Sequence, residues 1–278
     1  LHPDHPYRPK KADLDNLLAF ERSIGIDHVC LIAFSVYGND NRSLLDALRR
    51  LDGRGRGVVC IDPDTVTQEE LNDMHKIGVR GVRLNMQTRS EKVDRYTFAK
   101  VLRKHADKIR PLGWVIQLYI GLEQIGLMAD DLSTLGVPVV LDHLGSPAQN
   151  APGREQPGHR ELMRLLADGK VWIKMSGIYR FINLPDIDLY AREILRMAPS
   201  HVVWASDWPH SGGIAMNPDG DRTKVQDYRK VSIPNFIERC KGWCDYDEHL
   251  IRNIWVDNPR KLWQYDGHET RNGNGDTR

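Results

Sequence analysis

Asp207 stands in the run Ser206-Asp-Trp-Pro-His210, directly behind the apolar stretch Val202-Val-Trp. A carboxylate at the end of a buried strand, braced by Trp204 and Trp208, loses much of its water. Burial raises a carboxyl pKa, which is expected to carry Asp207 toward the range of a useful general base. The competing reading is a structural aspartate that caps the next turn. His143 closes a similar run, Val139-Val-Leu-Asp-His143, beside Asp142 and ahead of a Pro- and Gly-rich segment. A histidine so placed can polarise a carbonyl group; a satisfied core histidine is the plain alternative. His210, three residues past Asp207, is a weaker candidate for contact with a substrate.

The arginines form a second pattern. Arg80, Arg83 and Arg89 fall in Gly78-Val-Arg-Gly-Val-Arg-Leu-Asn-Met-Gln-Thr-Arg89. Strand alternation puts Arg83 and Asn85 on one face, with Val82 and Leu84 on the other. An arginine buried there needs internal carboxylates or an anionic ligand. Arg180, just past Lys174-Met-Ser-Gly177, can join the same site, and guanidinium forks suit bidentate carboxylate recognition. Tyr119 ends Val115-Ile-Gln-Leu-Tyr119, and Ser35 follows an earlier apolar run; both are candidates to face the same mouth.

These residues share a position, the C-terminal end of a strand. Seven apolar, β-rich runs are predicted as strands at 28–33, 57–61, 81–85, 114–119, 137–142, 171–176 and 201–206. Amphipathic helices are predicted between them at 15–23, 42–51, 68–76, 96–109, 124–132, 160–166 and 187–197. Ser43 and Thr67 are read as N-caps. Strand–helix alternation at this spacing predicts a parallel sheet, and the length suits a (β/α)8 TIM-type barrel of roughly 250 residues. The first strand of that barrel is expected before Leu1. Residues 1–267 read as one domain and 268–278 as a polar, disordered tail. Two loops, 146–159 and 209–224, leave strand C-terminal ends, where barrel sites are built and lids are common.

With 39 basic against 38 acidic residues, the charge balance predicts no nucleic-acid partner. The apolar runs are too short for a membrane span, and no signal-peptide pattern opens the chain, so a cytoplasmic location is expected. Of the cysteines, Cys30 and Cys60 sit in apolar runs. Cys240 and Cys244 lack the second half of a zinc motif, so four reduced thiols are expected. No phosphate loop, dinucleotide fingerprint, serine elbow or His-Glu-x-x-His is present.

From Tyr7 to about Trp263 the sequence resembles the amidohydrolase-related lactonases, the amidohydrolase 2 family, and within it the pyrone-dicarboxylate lactonases. The resemblance rests on Tyr7-Arg-Pro, Tyr37-Gly-Asn-Asp-Asn41, Gly78-Val-Arg-Gly-Val-Arg-Leu-Asn85, Leu112-Gly-Trp114, Leu141-Asp-His-Leu-Gly145, Lys174-Met-Ser-Gly177, Trp204-Ala-Ser-Asp-Trp-Pro-His210 and Asp257-Asn-Pro259. The pair Asp-His-Leu-Gly and Ser-Asp-Trp-Pro-His is the specific part. It implies that Asp207 activates water and that His143 binds a lactone carbonyl. It also implies that Tyr7, Arg83, Arg89, Tyr119 and Arg180 contact substrate carboxylates, and that no cofactor or divalent metal takes part. Ser35 stands where the family usually has threonine, and the family's His-x-His is absent; His2 and His5 do not fit that role. The expected partner is a small anionic lactone; the oligomeric state is open. Two other readings remain. One is a zinc-dependent decarboxylase or amide hydrolase with His143 and Asp207 as ligands, and the other is a non-catalytic binding barrel.

Overall fold

The computed structural model describes residues 1–2, 5, 7–86, 94–213 and 216–265. Arg89 and the tail 268–278 lie outside the described residues. The strands are β1 (Arg8–Pro9), β2 (Val29–Ile32), β3 (Gly55–Val59), β4 (Val79–Asn85), β5 (Val115–Tyr119), β6 (Val139–Leu141), β7 (Val171–Met175), β8 (Val202–Trp204) and β9 (Val225–Gln226). The helices are α1 (Leu14–Ile24), α2 (Arg42–Leu51), α3 (Gln68–Lys76), α4 (Arg95–Ile109), α5 (Leu122–Ser133), α6 (His159–Ala167), α7 (Ile187–Met197), α8 (Ile233–Trp243), α9 (Glu248–Arg252) and α10 (Asn258–Leu262). Strands β2 to β8 form one parallel sheet of seven, in sequence order, with β2 and β8 at its ends. A helix follows each of these strands, so the seven expected strands and their connections are all found.

Apart from the half-buried edge strand β2, both faces of this sheet are largely buried, which is why its strands read as nearly continuous apolar runs. One face packs Ile116, Leu118, Val139, Leu141 and Ile173 against helix residues such as Leu102, Ile125 and Ile194. The other gathers Val58, Val115, Val140, Trp172 and Val203, closed by Leu262 and Trp263 from the end of α10. This is the interior of a curled half-barrel. Toward the strand C-terminal ends the inward positions turn polar: Arg83 pairs in register with Gln117, and Asn85 with Tyr119.

The N-cap of α3 is Thr67 as expected, and it forms a reciprocal box with Glu70. The expectation for α2 fails. Its N-cap is Asn41, not Ser43, and the Asn41 amide is occupied elsewhere. It donates to the Cys60 carbonyl at 2.7 Å and accepts from the Cys60 N–H at 3.1 Å, tying the loop after β2 to the end of β3. The parallel pair β1–β9 was not expected, because two-residue strands carry no period to read. It lays Arg8 beside Val225 and Pro9 beside Gln226, and so brings the segment after Tyr7 against the loop that follows β8. None of the four cysteines is in a disulfide. Among the described residues no helix is long and apolar enough to cross a membrane.

Candidate active site

A cleft of about 2580 Å³ opens over the C-terminal ends of the strands and runs down the side between β2 and β8. Its floor is a buried polar network on the inward positions of β4 to β7. Gln117 donates from Nε2 to both Asp142 oxygens, at 2.9 and 3.0 Å. Lys174 donates from Nζ to Gln117 Oε1 at 2.7 Å and lies 3.4 Å from Asp142 Oδ1. Arg83 Nη2 lies 3.8 Å from Asp142 Oδ2. Burial pushes the Asp142 carboxyl up, but Lys174, His143 and Arg83, with the Gln117 bonds, outweigh it and hold it below its ordinary value. Asp142 is therefore a charged anchor directly ahead of His143. Gln117, Asp142 and Lys174 escaped the reading of the sequence. A lysine inside Val-Trp-Ile-Lys-Met was the available signal, since an unpaired ammonium is not buried.

Arg83 and Asn85 do share a face. Both reach Ser35 Oγ, Arg83 from Nη1 at 3.2 Å and Asn85 from Nδ2 at 2.6 Å, and Arg83 Nη1 also donates to the Ala33 carbonyl at 2.8 Å. The Nε of Arg83 is buried and has no hydrogen-bond partner. A guanidinium bonded to two neutral oxygens, at 3.8 Å from a carboxylate it shares with Lys174 and with a donor to spare, is suited to an anionic ligand.

His143 and Asp207 face one another: His143 Nε2 lies 4.0 Å from Asp207 Oδ1. Both residues have left-handed backbones, with φ of 51° and 58°, a conformation disfavoured for side-chain-bearing residues and common at functional turns. The His143 ring is 5% exposed, and its Nδ1 meets Ser176 Oγ at 2.8 Å. Burial pushes His143 below its ordinary value, so the ring is neutral near neutral pH. The tautomer in which the Ser176 hydroxyl donates to Nδ1 carries its proton on Nε2, on the side of Asp207. Gly177 makes this packing possible. Its φ is +63°, and a Cβ there would fall 2.6 Å from His143 Nδ1. The Tyr119 ring stands edge-on to His143, 4.8 Å between centroids, as expected for a residue at the mouth.

The other Asp207 oxygen, Oδ2, is occupied. Tyr179 donates its hydroxyl at 2.5 Å, and Arg180 donates from Nε at 3.2 Å and Nη2 at 2.9 Å. This corrects the expectation of a raised carboxyl. Burial does push Asp207 up, yet His143, Arg180 and the bonds from Tyr179 and Arg180 overcome it and hold the group at about 2. Arg180 thus reaches the site as expected, but as the partner of Asp207. Tyr179, which sequence reasoning missed, is the second clamp, and its hydroxyl pKa is raised by burial and by Asp207.

Tyr7 is buried and enters the site beside Ser211, which lowers its hydroxyl pKa while burial, the stronger effect, raises it. His210 does not line the cleft as expected. It is 7% exposed, its Nε2 is 3.1 Å from the Ser206 carbonyl, and its ring abuts Tyr179 at 5.7 Å between centroids. Its backbone, like those of His143 and Asp207, is left-handed, with a φ of 65°. His210 props the clamp instead.

Zinc sites in enzymes use three protein ligands and keep one position open. Among the described residues no three His, Cys, Asp or Glu side chains gather in that way. His143 and Asp207 supply two, and Asp207 already shares its charge with Arg180. The described residues do not fit a zinc centre.

The chain resembles known proteins over most of its length. The sequence profile of the family described as amidohydrolase matches residues 2–264. The 4-sulfomuconolactone hydrolase of Hydrogenophaga intermedia is 30% identical over 92% of this chain and 81% of its own length. The 2-pyrone-4,6-dicarboxylate hydrolase of Comamonas testosteroni is 27% identical over 94% and 84%. A crystal structure of a proposed 2-pyrone-4,6-dicarboxylic acid hydrolase from Pseudomonas putida superimposes with a TM-score of 0.78 at 31% identity, covering 95% of this chain and 92% of that one.

Proposed function

The chain belongs to the amidohydrolase family, and from that premise we propose that it hydrolyses a lactone carrying carboxylate or sulfonate groups. The observation that supports this most directly is one cleft in which a free carboxylate oxygen, Asp207 Oδ1, faces His143 Nε2 at 4.0 Å, with the partly unpartnered guanidinium of Arg83 lining the same space. Relatives named for anionic muconolactone and pyrone substrates support the same class.

In this reading water binds Asp207 Oδ1 and attacks the lactone carbonyl carbon as Oδ1 takes its proton. His143 Nε2–H donates to the carbonyl oxygen as negative charge develops there. Collapse of the tetrahedral intermediate breaks the ring C–O bond, and the departing oxygen recovers the proton from Asp207. The products are a hydroxyl or enol and a carboxylic acid on one open chain, and the acid loses its remaining proton to solvent to become a carboxylate. Arg83, with Ser35 and Asn85 behind it, holds a ring carboxylate or sulfonate and fixes the carbonyl near His143. Arg180 has Asp207 as its partner in the free protein; a substrate anion that draws on the same guanidinium loosens that hold and raises the basicity of Asp207. No metal enters this scheme: the positive charge comes from the arginines.

Arg83→Met is expected to lower kcat/KM for such a lactone by about 10- to 100-fold, the loss of one charge-assisted contact. Arg83→Lys should recover part of it, since an ammonium cannot make the planar fork. Unfolding and kinetics on the same preparation check the point. A large fall in melting temperature, with kcat/KM per folded molecule unchanged, would give Arg83 to the core instead.

A further inference from the structure

We infer that Ser176 is a positioning residue for His143: its hydroxyl donates to Nδ1 and so fixes the ring as a hydrogen-bond donor at Nε2, the atom beside Asp207. The inference deepens the lactone reading, in which Nε2–H meets the carbonyl oxygen, and rests on that reading for its kinetic arm. Its spectroscopic arm needs no turnover.

Ser176 is placed by β7. Leu141 on β6 is in register with Ile173 on β7, so the residues that follow each of them meet at the strand ends. Alternation puts Lys174 and Ser176 on the same inward face. Each holds one of two consecutive residues after β6: Lys174 Nζ lies 3.4 Å from Asp142 Oδ1, and Ser176 Oγ lies 2.8 Å from His143 Nδ1. Gly177, with no Cβ, leaves room for the imidazole. The run Lys174-Met-Ser-Gly177 therefore acts as one brace behind Asp142 and His143.

Hydrogen-bond accounting decides which partner of the Ser176–His143 pair is the donor. Ser176 is 1% exposed, and among the described residues His143 is the only hydrogen-bond partner of its hydroxyl. When serine donates, its proton is used and the Nδ1 lone pair is filled. When Nδ1–H donates instead, the serine proton is buried without an acceptor. In that state the bare Nε2 lone pair also looks across 4.0 Å at the carboxylate oxygen Asp207 Oδ1. Both effects select the Nε2–H tautomer. The doubly protonated ring is opposed by burial, with Arg180 and Lys174 acting in the same direction against the pull of Asp207 and Asp142. Rotation is restrained as well. A half-turn of the imidazole sets a ring carbon against Ser176 Oγ and loses the bond, while the Tyr119 ring packs edge-on at 4.8 Å between centroids.

Nitrogen-15 NMR of the histidine-labelled full chain near neutral pH is the first test, with His143→Gln to identify its signals among the 11 histidines. The wild-type ring should carry its proton on Nε2 alone, with Nδ1 shifted as a hydrogen-bonded acceptor. In Ser176→Ala the Nδ1 signal should move to that of a free acceptor. The same variant should lose about 10-fold in kcat on 2-pyrone-4,6-dicarboxylate, the scale of one neutral hydrogen bond, with KM nearly unchanged. Ser176→Thr, which keeps the hydroxyl, should recover part of it. A proton on Nδ1, alone or together with one on Nε2, would overturn the inference. So would wild-type kcat per folded molecule in Ser176→Ala, which would leave Ser176 a packing residue. If Ser176→Ala does not fold, the wild-type spectrum decides. A wild-type protein that shows the expected spectrum but opens no lactone would reject the proposed reaction and keep the Ser176–His143 assignment.

Discussion

Asp207→Asn is expected to lower kcat by about 10²- to 10⁴-fold while ligand affinity changes little, which is the range for loss of a positioned general base. The amide keeps the shape of the carboxylate. Its oxygen can still accept from Tyr179 and Arg180, but its nitrogen then faces His143 and cannot take a proton from water. The pH profile carries a second expectation. Asp207 in the free protein is held at about 2, well below an ordinary carboxyl. It is ionised wherever the protein is folded and assayed, and it gains its proton only as the pH falls toward that value. kcat/KM, which reports the free enzyme, should therefore show no acid limb from Asp207 at or above roughly pH 4. Wild-type turnover by the asparagine variant would remove Asp207 from the mechanism. An acid limb near pH 5 that disappears in that variant would mean the clamp does not hold the carboxylate as described.

The second large effect is on stability. Lys174→Met is expected to cost about 3–5 kcal/mol, the penalty for stranding one member of a buried ion pair. The Lys174 and Asp142 side chains are 7% and 3% exposed, and their separation is 3.4 Å. After the substitution Asp142 retains the neutral Gln117 amide and an arginine at 3.8 Å, too little to replace the ammonium. Adding Asp142→Asn removes the stranded charge and should return part of the loss, so the pair gives a coupling energy in a double-mutant cycle. Denaturant unfolding of the four proteins measures it. A loss under about 1 kcal/mol for Lys174→Met would show that the floor is held by packing rather than by charge.

How far this site could be read beforehand depended on what each residue announces locally. Asp207, His143, Arg83 and Tyr119 end or interrupt apolar strands, so parallel-sheet topology alone sends them to one mouth. The strands themselves were plain, because burial on both faces leaves long Val, Ile and Leu runs. Helix ends were less so: Asn41 took the cap position from Ser43 because its amide ties β2's loop to Cys60. The sign of the Asp207 shift was misjudged for a similar reason. Burial is visible in the flanking tryptophans, whereas the Tyr179 and Arg180 clamp comes from another loop with no period to reveal it. His210 packs behind Tyr179 rather than in the cleft lining, a placement that closeness to Asp207 in sequence does not reveal.

The central claim is that water, activated at Asp207, adds to a lactone carbonyl. It is tested most directly by running the reaction on an anionic pyrone or muconolactone in oxygen-18 water and examining the product by mass spectrometry. Hydrolysis by this route predicts a product heavier than the substrate by one labelled water, with the label in the newly formed carboxylate and with turnover lost in Asp207→Asn. A product of unchanged mass without label would mean that the ring is rearranged rather than opened by water. Label in the hydroxyl or enol oxygen would mean attack at the wrong carbon. Either result would contradict the mechanism built on Asp207 and His143.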